Sequence, residues 1–247
     1  MIYLYGDESN TPGADLIWGI GFLFSTNPSK HMTNIRRIRK ERGYENRELK
    51  FSSTDYSQIL VGMRLVDYFL SADDLYFKII IKNNLYFNPD YFKENYYKLD
   101  KKDMAYVSTY AELCKSINPT KYEQHKKLLN LDHKPFRGNM ILRPFLKKKD
   151  SSVVEVYRKD SAKKNKKGQF DGISQMLQLT DFLTGTIVSI ADTKRKEKTD
   201  EKHAKNIYRK TILSKCVLMK EALLRRENYY YPSFRNQKIN IFYWKKK

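Results

Sequence analysis

Cysteine and histidine are scarce in this chain, with two cysteines (Cys114 and Cys216) and four histidines in 247 residues. Two thiols supply neither a disulfide scaffold nor a cysteine-based zinc site. Four scattered imidazoles exclude a histidine-rich metal cluster. Long apolar runs are missing too: the most apolar strand-like run, Leu16 to Phe24, is far short of the ~20 residues a membrane helix needs. Met1 leads straight into Ile2-Tyr3-Leu4-Tyr5 without a basic region or a cleavage site, so no secretory signal is expected. No internal repeat of solenoid length appears. Acids are outnumbered, 28 against 48 Lys plus Arg, for a net charge of +20. These absences leave a soluble, cytoplasmic globular protein with no membrane partner.

What is present suffices for a core. Apolar residues make up 40% of the chain and aromatics 14%, which excludes disorder and collagen-like repeats. The surplus positive charge concentrates at Lys147-Lys148-Lys149, Arg158 to Lys167, Lys194 to Lys198 and Lys245 to Lys247. Such a field attracts polyanions, and each phosphate neutralised releases counterions, so nucleic acid is the expected partner. Lys163, Lys164, Lys166 and Lys167, in a loop expected to be mobile, are candidates for gripping its backbone. Most aromatics recur at core spacing; Tyr229-Tyr230-Tyr231, just before Pro232, is the cluster expected to stay exposed and stack on bases.

Patterning predicts strands at Ile2–Tyr5, Leu16–Phe24, Leu75–Ile81, Lys127–Leu131 and Val153–Tyr157, with a last one through Ile239, Ile241 and Tyr243. Thr11-Pro12-Gly13 supplies a turn between the first two. Helices are predicted from Pro28 to about Arg42, after Ser52-Ser53-Thr54 as cap with Ile59, Met63, Val66 and Leu70 on one face, and from Asn88-Pro89-Asp90 to about Ile117 with an interruption near Asp100. Two more run from Gly172 to Ala191 and from Asp200 to about Arg226, the latter with Leu213, Cys216, Val217, Lys220 and Leu224 along one side. Strands first and strands alternating with helices afterwards argue for one mixed α/β sheet covered by helices. The charged stretch Asp192 to Glu201 reads as a linker to a C-terminal helical extension.

The informative residues are acids in costly places. Tyr3, Tyr5 and Asp7 share one face of the first strand, because side chains alternate. Asp7 therefore sits near the strand's carboxyl end, where open sheets keep their ligand sites; Glu8 points the other way. Leu128, Asn130 and Asp132 repeat the pattern. On the helix Gly172–Ala191, Asp181 has Leu177, Gln178, Thr184 and Gly185 as its neighbours three and four residues away. A carboxylate on such a surface costs several kcal/mol unless paired or bound to a metal. Gly185 is expected to let this helix approach the sheet. Glu48 lies in a charged stretch before Leu49-Lys50-Phe51. Acids that converge raise one another's pKa unless a cation offsets the repulsion. Mg²⁺ takes oxygen ligands of this kind, and two such ions about 3.5–4 Å apart can cleave a phosphodiester.

Tyr5-Gly6-Asp7-Glu8-Ser9, Glu48-Leu49-Lys50-Phe51-Ser52, Leu131-Asp132 and Leu177-Gln178-Leu179-Thr180-Asp181-Phe182-Leu183-Thr184-Gly185 follow one another in order. In this the chain resembles the bacterial domain-of-unknown-function family 3800, which is similar to the ribonuclease H-like superfamily. The resemblance spans about residues 1–192. It departs from the family pattern at Asn10, where Gly is common and Asn tolerates the same left-handed turn, and at Thr180, where Ala is common.

The resemblance implies a ribonuclease H-like catalytic domain over 1–192; residues 193–247 are expected to add a basic helix and strand packed on the same domain. It also implies a metal set of Asp7, Glu48, Asp132 and Asp181 for two Mg²⁺ or Mn²⁺ ions, with Glu8 as the alternative to Glu48. The expected activity is two-metal hydrolysis of RNA or DNA, in phage defence or a mobile element, with Lys50 as a phosphate contact. A non-catalytic nucleic-acid-binding protein and a strand-transfer or junction-resolving enzyme are the rival readings.

Overall fold

A computed structural model describes residues 1–10, 16–51, 55–84, 99–117, 125–132, 139–192, 199–231 and 237–244. In chain order the elements are β1 (Ile2–Ser9), β2 (Ile17–Ser25), α1 (Pro28–Glu41), α2 (Tyr56–Ser71), β3 (Leu75–Asn83), α3 (Lys101–Ser116), β4 (Lys127–Asp132), α4 (Asn139–Lys149), β5 (Val153–Lys159), α5 (Gly172–Ala191), α6 (Thr199–Lys215), α7 (Met219–Leu224), β6 (Tyr229–Tyr231) and β7 (Ile239–Tyr243). The strands form one sheet in the order β5-β4-β1-β2-β3-β7-β6. β1, β2 and β3 pair antiparallel, β4 and β5 continue parallel beyond β1, and β7 lies parallel to β3. This mixed α/β sheet flanked by helices is the architecture that the sequence called for. No described helix is long and apolar enough to cross a membrane.

Helices cover both sheet faces, so the central strands are buried almost throughout instead of alternating with solvent. Ile2, Leu4, Trp18, Phe22 and Leu129 face α3 and α4. Tyr5, Leu23, Phe77 and Ile79 face the other side, against Leu179, Leu183 and Ile187 of α5. Alternation along β1 thus assigns Asp7 to the α5 side and Glu8 to the α3 side. Asn10, which follows β1, holds the left-handed conformation expected of it, at φ 65°.

Close approach of α5 to the sheet comes from strand glycines. A Cβ on Gly19 would lie 2.8 Å from Val188, and one on Gly21 would lie 2.6 Å from the Phe77 ring and also overlap Thr184. Gly185 was expected to serve this purpose. Its missing Cβ faces Phe51 instead, at 2.6 Å from the ring, so it admits the segment after Glu48.

Other expectations need correction. β1 continues past Tyr5 to Ser9 because both faces of the strand are covered. The cap of α2 is Asp55, whose carboxylate accepts from the Ser57 amide; Ser52–Thr54 lie outside the described residues, as do the Thr11–Gly13 turn, the Asn88–Asp90 helix start and the lysines at 194–198 and 245–247. Asp100 is the N-cap of α3, its carboxylate accepting from the Asp103 amide. The segment Met140–Lys149, read only as basic, is α4. The single helix from Asp200 to Arg226 is two, broken at Leu218, which adopts a left-handed φ of 70°. The break rotates the apolar stripe, burying Ile212, Cys216, Met219 and Leu223 while Val217 and Leu224 face solvent. Tyr229–Tyr231 is no exposed platform: it is edge strand β6 against β7, with Tyr229 buried. In the basic loop after β5, the Asn165 amide oxygen accepts from the Lys167 and Gln169 amides at 2.9 and 3.0 Å.

Replacing Gly21 with Val forces a side chain into Phe77 and Thr184, and overpacking of this kind costs about 1–3 kcal/mol. The urea midpoint should fall with the slope m unchanged. Stability should also respond to pH. Burial lowers the ammonium pKa of both Lys78 and Lys238 to about 8, while it pushes the thiols of Cys114 and Cys216 up to about 12. Above pH 8 the unfolded chain holds more protons on these lysines than the folded one, so stability rises with pH. Above about 9 the unfolded thiols ionise first, which opposes the gain and reverses the trend as the pH nears about 10. Denaturation at several pH values should show a gain of about 1–2 kcal/mol between pH 8 and 9, halved in Lys78→Met.

Candidate active site

Four separate segments meet at the carboxyl ends of β1 and β4. Asp7 is the sixth residue of β1 and Asp132 the last of β4. Asp181 lies midway along α5, and Glu48 belongs to an irregular stretch between α1 and α2. All four line one cleft of about 380 Å³, together with Glu8, Lys50, Asp160, Ser161, Gln178 and Lys205. A crevice outside the strands' carboxyl ends is the usual ligand position in open α/β sheets.

Each acid is held differently. Asp7 is almost fully buried, and its carboxylate accepts from the Glu8 amide at 2.8 Å. Asp132 Oδ1 accepts from the Ser161 amide at 2.9 Å, while the Asp132 carbonyl accepts from Arg158 Nη2 at 3.1 Å. Glu48 pairs with Lys50 at 3.0 Å. Asp181 is half-buried on a helix otherwise buried along nearly its whole length. Glu8 touches the cleft but serves the opposite sheet face, where its carboxylate accepts from the Tyr110 hydroxyl of α3 at 2.8 Å. Burial, then the negative charges of Glu8 and Asp7, raises that hydroxyl's pKa well above its ordinary value, so it stays protonated and donating. Burial also lowers the pKa of Arg158, opposed by Tyr110, Glu8 and Asp132.

Sequence reasoning passed over the residues that hold the Glu48 segment in place. Gln178, one turn before Asp181, is fully buried and makes three hydrogen bonds. Its Oε1 accepts from Arg39 Nη1 at 2.8 Å and from the Leu49 amide at 3.1 Å, and its Nε2 donates to the Ser161 carbonyl at 2.8 Å. One amide thus ties the segments carrying Glu48 and Ser161 to the helix carrying Asp181. Gln58 of α2 repeats the device, accepting from the Lys50 amide at 2.8 Å and donating back to the Lys50 carbonyl at 2.5 Å. The available signal was a glutamine on an apolar helix three residues before an acid. Lys205 of α6 is a further cation in the cleft, buried with its ammonium 5.3 Å from the Phe51 ring centre.

The four lysines proposed from the basic loop divide. Lys163 and Lys164 line a neighbouring cavity, whereas Lys166 and Lys167 are exposed and line neither. The carboxylate lining offers hard oxygen donors, the chemistry Mg²⁺ and Mn²⁺ take. Among the described residues, no three His, Cys, Asp or Glu side chains stand close enough together to hold an ion without moving.

No family model and no curated protein matches this chain. Among solved structures it is similar to RNase HII of Archaeoglobus fulgidus, determined in complex with PCNA. That match has 9% identity and a TM-score of 0.45, and covers 87% of this chain and 90% of that one. Ribonuclease H2 of Pyrococcus horikoshii matches at 10% identity and a TM-score of 0.44, covering 85% of this chain and 100% of the other.

Gln178→Ala strands Arg39, the Leu49 amide and the Ser161 carbonyl without their partner. Each buried unsatisfied group costs about 1–3 kcal/mol, and partial solvation by water in the vacated space brings the expected total to about 2–4 kcal/mol. Urea denaturation measures the loss, and proteolysis of the folded protein should newly cut near Arg47–Lys50.

Proposed function

We propose that this protein is a divalent-metal-dependent nuclease hydrolysing phosphodiester bonds of RNA or DNA. One observation carries the reading: Asp7, Glu48, Asp132 and Asp181, from four separate segments, line a single cleft at the sheet's carboxyl edge in a chain of net charge +20. Nucleic acid is drawn to such a surface by its phosphates, and hard cations are drawn to the acids. These four carboxylates are the proposed ligands. A bound Mg²⁺ or Mn²⁺ pair would supply an activated water and stabilise the leaving oxygen.

The chain's own residues supply the rest. Gln178 and Gln58 hold the Glu48–Lys50 backbone from either side, which positions Glu48 while leaving its side chain a modest movement. Lys50 and Lys205 line the same cleft and supply positive charge for a phosphate oxygen. Ser161 keeps Asp132 oriented through its amide. On the family resemblance we extend the proposal to a role in phage defence or a mobile element, with 1–192 as the catalytic portion.

Thermal melting with and without millimolar Mn²⁺ tests the metal site. Ligand at about 100 times its dissociation constant adds about 2.7 kcal/mol, which for a chain of this size is a rise of about 5–10 °C. Asp7→Asn and Asp132→Asn should abolish both the rise and the cleavage of labelled RNA or DNA, while salt-sensitive binding persists. A wild-type protein that binds both nucleic acids but cuts neither with Mg²⁺ or Mn²⁺ would be a binding module, and the nuclease reading would be wrong.

A further inference from the structure

A second cavity, of about 940 Å³, adjoins the carboxylate cleft, and Asp160 lines both. Its floor is the sheet face that also bears Asp7 and Asp132. Register across β1, β4 and β5 sets Tyr5 beside Asn130 and Asn130 beside Tyr157, with Tyr3 beside Leu128 in the row below. Asp7 and Asp132 are two residues further along the same strands, a step of about 6–7 Å. Aromatic rings and acids thus occupy successive rows of one face, a spacing within reach of one extended nucleotide.

The walls complete a recognisable chemistry. Tyr157 is half exposed at 51%, whereas Tyr5 is buried beneath. Asn130, also buried, places an amide with donor and acceptor in the floor. Met32 of α1 and Lys163 and Lys164 of the loop around Asn165 line the walls, together with the paired Lys159 and Asp171. The Lys164 ammonium sits 5.4 Å from the Phe170 ring centre, which restrains it beside the cavity. Apolar and aromatic floor with a cationic rim matches a nucleobase and its flanking phosphates, and stacking on aromatics is how unpaired bases are held without sequence preference.

We propose that this cavity is a subsite for an unpaired base of single-stranded nucleic acid, one nucleotide from the carboxylate cleft, with Tyr157 as its stacking surface and Lys163 and Lys164 on the adjoining phosphates. The assignment rests on the nucleic-acid reading above and narrows the substrate class to one with an unpaired strand at the site. A paired base, stacked on both sides, has no free face to offer Tyr157.

Full-length protein should be titrated with a twelve-nucleotide single strand of RNA or DNA carrying one 2-aminopurine, and with the same strand annealed to its complement. Wild type should bind the single strand more tightly and quench its fluorescence. Tyr157→Ala should lose quenching and weaken single-strand binding by on the order of tenfold, while Tyr157→Phe retains both. Lys163→Ala with Lys164→Ala should reduce the slope of log K against log salt by about 1.4, at ~0.7 per phosphate on a single strand. Melting curves of each variant establish that it is folded, as expected for an exposed edge-strand side chain and two loop lysines. Wild-type affinity and quenching in Tyr157→Ala, or equal affinity of wild type for the duplex, would overturn the subsite and leave the nuclease reading standing. Absence of nucleic-acid binding in wild type would overturn both.

Discussion

A guanidinium taken wholly out of water must find acceptors, and in this fold that requirement organises the site. Arg39 of α1 is fully buried, and desolvation lowers its pKa only to about 10, so it remains charged at neutral pH. Its acceptors are Gln178 Oε1 and the carbonyls of Tyr44 and Arg47. Arg39 therefore draws the irregular stretch after α1 down onto α5. Stripping one partner from a buried charge is far more costly than any surface pair is worth. Through this junction the backbone of Glu48, which has no helix or strand of its own, acquires a defined place beside the cleft that Asp181 also lines.

The sheet contributes a second constraint, alternation with both faces covered. Because side chains on β1 alternate, neighbouring acids cannot serve one site equally. Glu8 is committed to Tyr110 and the α3 layer, whereas Asp7 falls on the layer of α5 with Tyr3 and Tyr5. The same parity on β4 brings Asp132 into line with Asp7, and on β5 it brings Tyr157 into line with Asn130. Acidic row and aromatic row are therefore consequences of one register, fixed where the core residues on either side demand it. A slip of one position would expose Leu4 and Leu129 to the wrong layer and dismantle both rows together.

Much of this was legible from local pattern. The helix Gly172–Ala191 is found with those same bounds, the strand positions were readable from β-branched and aromatic runs, and the acids stood out because each ended or interrupted an apolar segment. What escaped depends on contacts distant in sequence. Gln178 and Arg39 are separated by most of the chain, and neither carries a local sign that it will be buried against the other. Gly185 reads as a helix–sheet contact because its partner, Phe51, lies in a stretch without periodicity. The break at Leu218 has no proline or glycine to announce it; the burial of Met219 and Leu223 against the core compensates for the left-handed residue, which costs about 1–2 kcal/mol. Tyr229–Tyr231 looked like a free aromatic cluster because three residues are too few to show a period, and only β7 beside it makes them a strand.

Charge within the cleft closes the physical picture. Four carboxylates facing one space repel, and the fold answers with cations of different firmness. Lys205 is buried and braced against Phe51, a fixed contribution to the local potential. Lys50 is more than half exposed in its pair with Glu48, and an exposed pair of this kind is worth only about 0.2–1 kcal/mol. Separating it is therefore cheap. On the function proposed above, a phosphate taking Lys50 would free Glu48 for a cation, and a cation taking Glu48 would free Lys50 for a phosphate, so each ligand would lower the cost of admitting the other. By linkage that favour is reciprocal and bounded by the strength of the pair it replaces. The coupling between anion and cation would accordingly be modest, a few-fold in either affinity, and it would belong to the Glu48–Lys50 pair, whose backbone Gln178 and Gln58 keep in place.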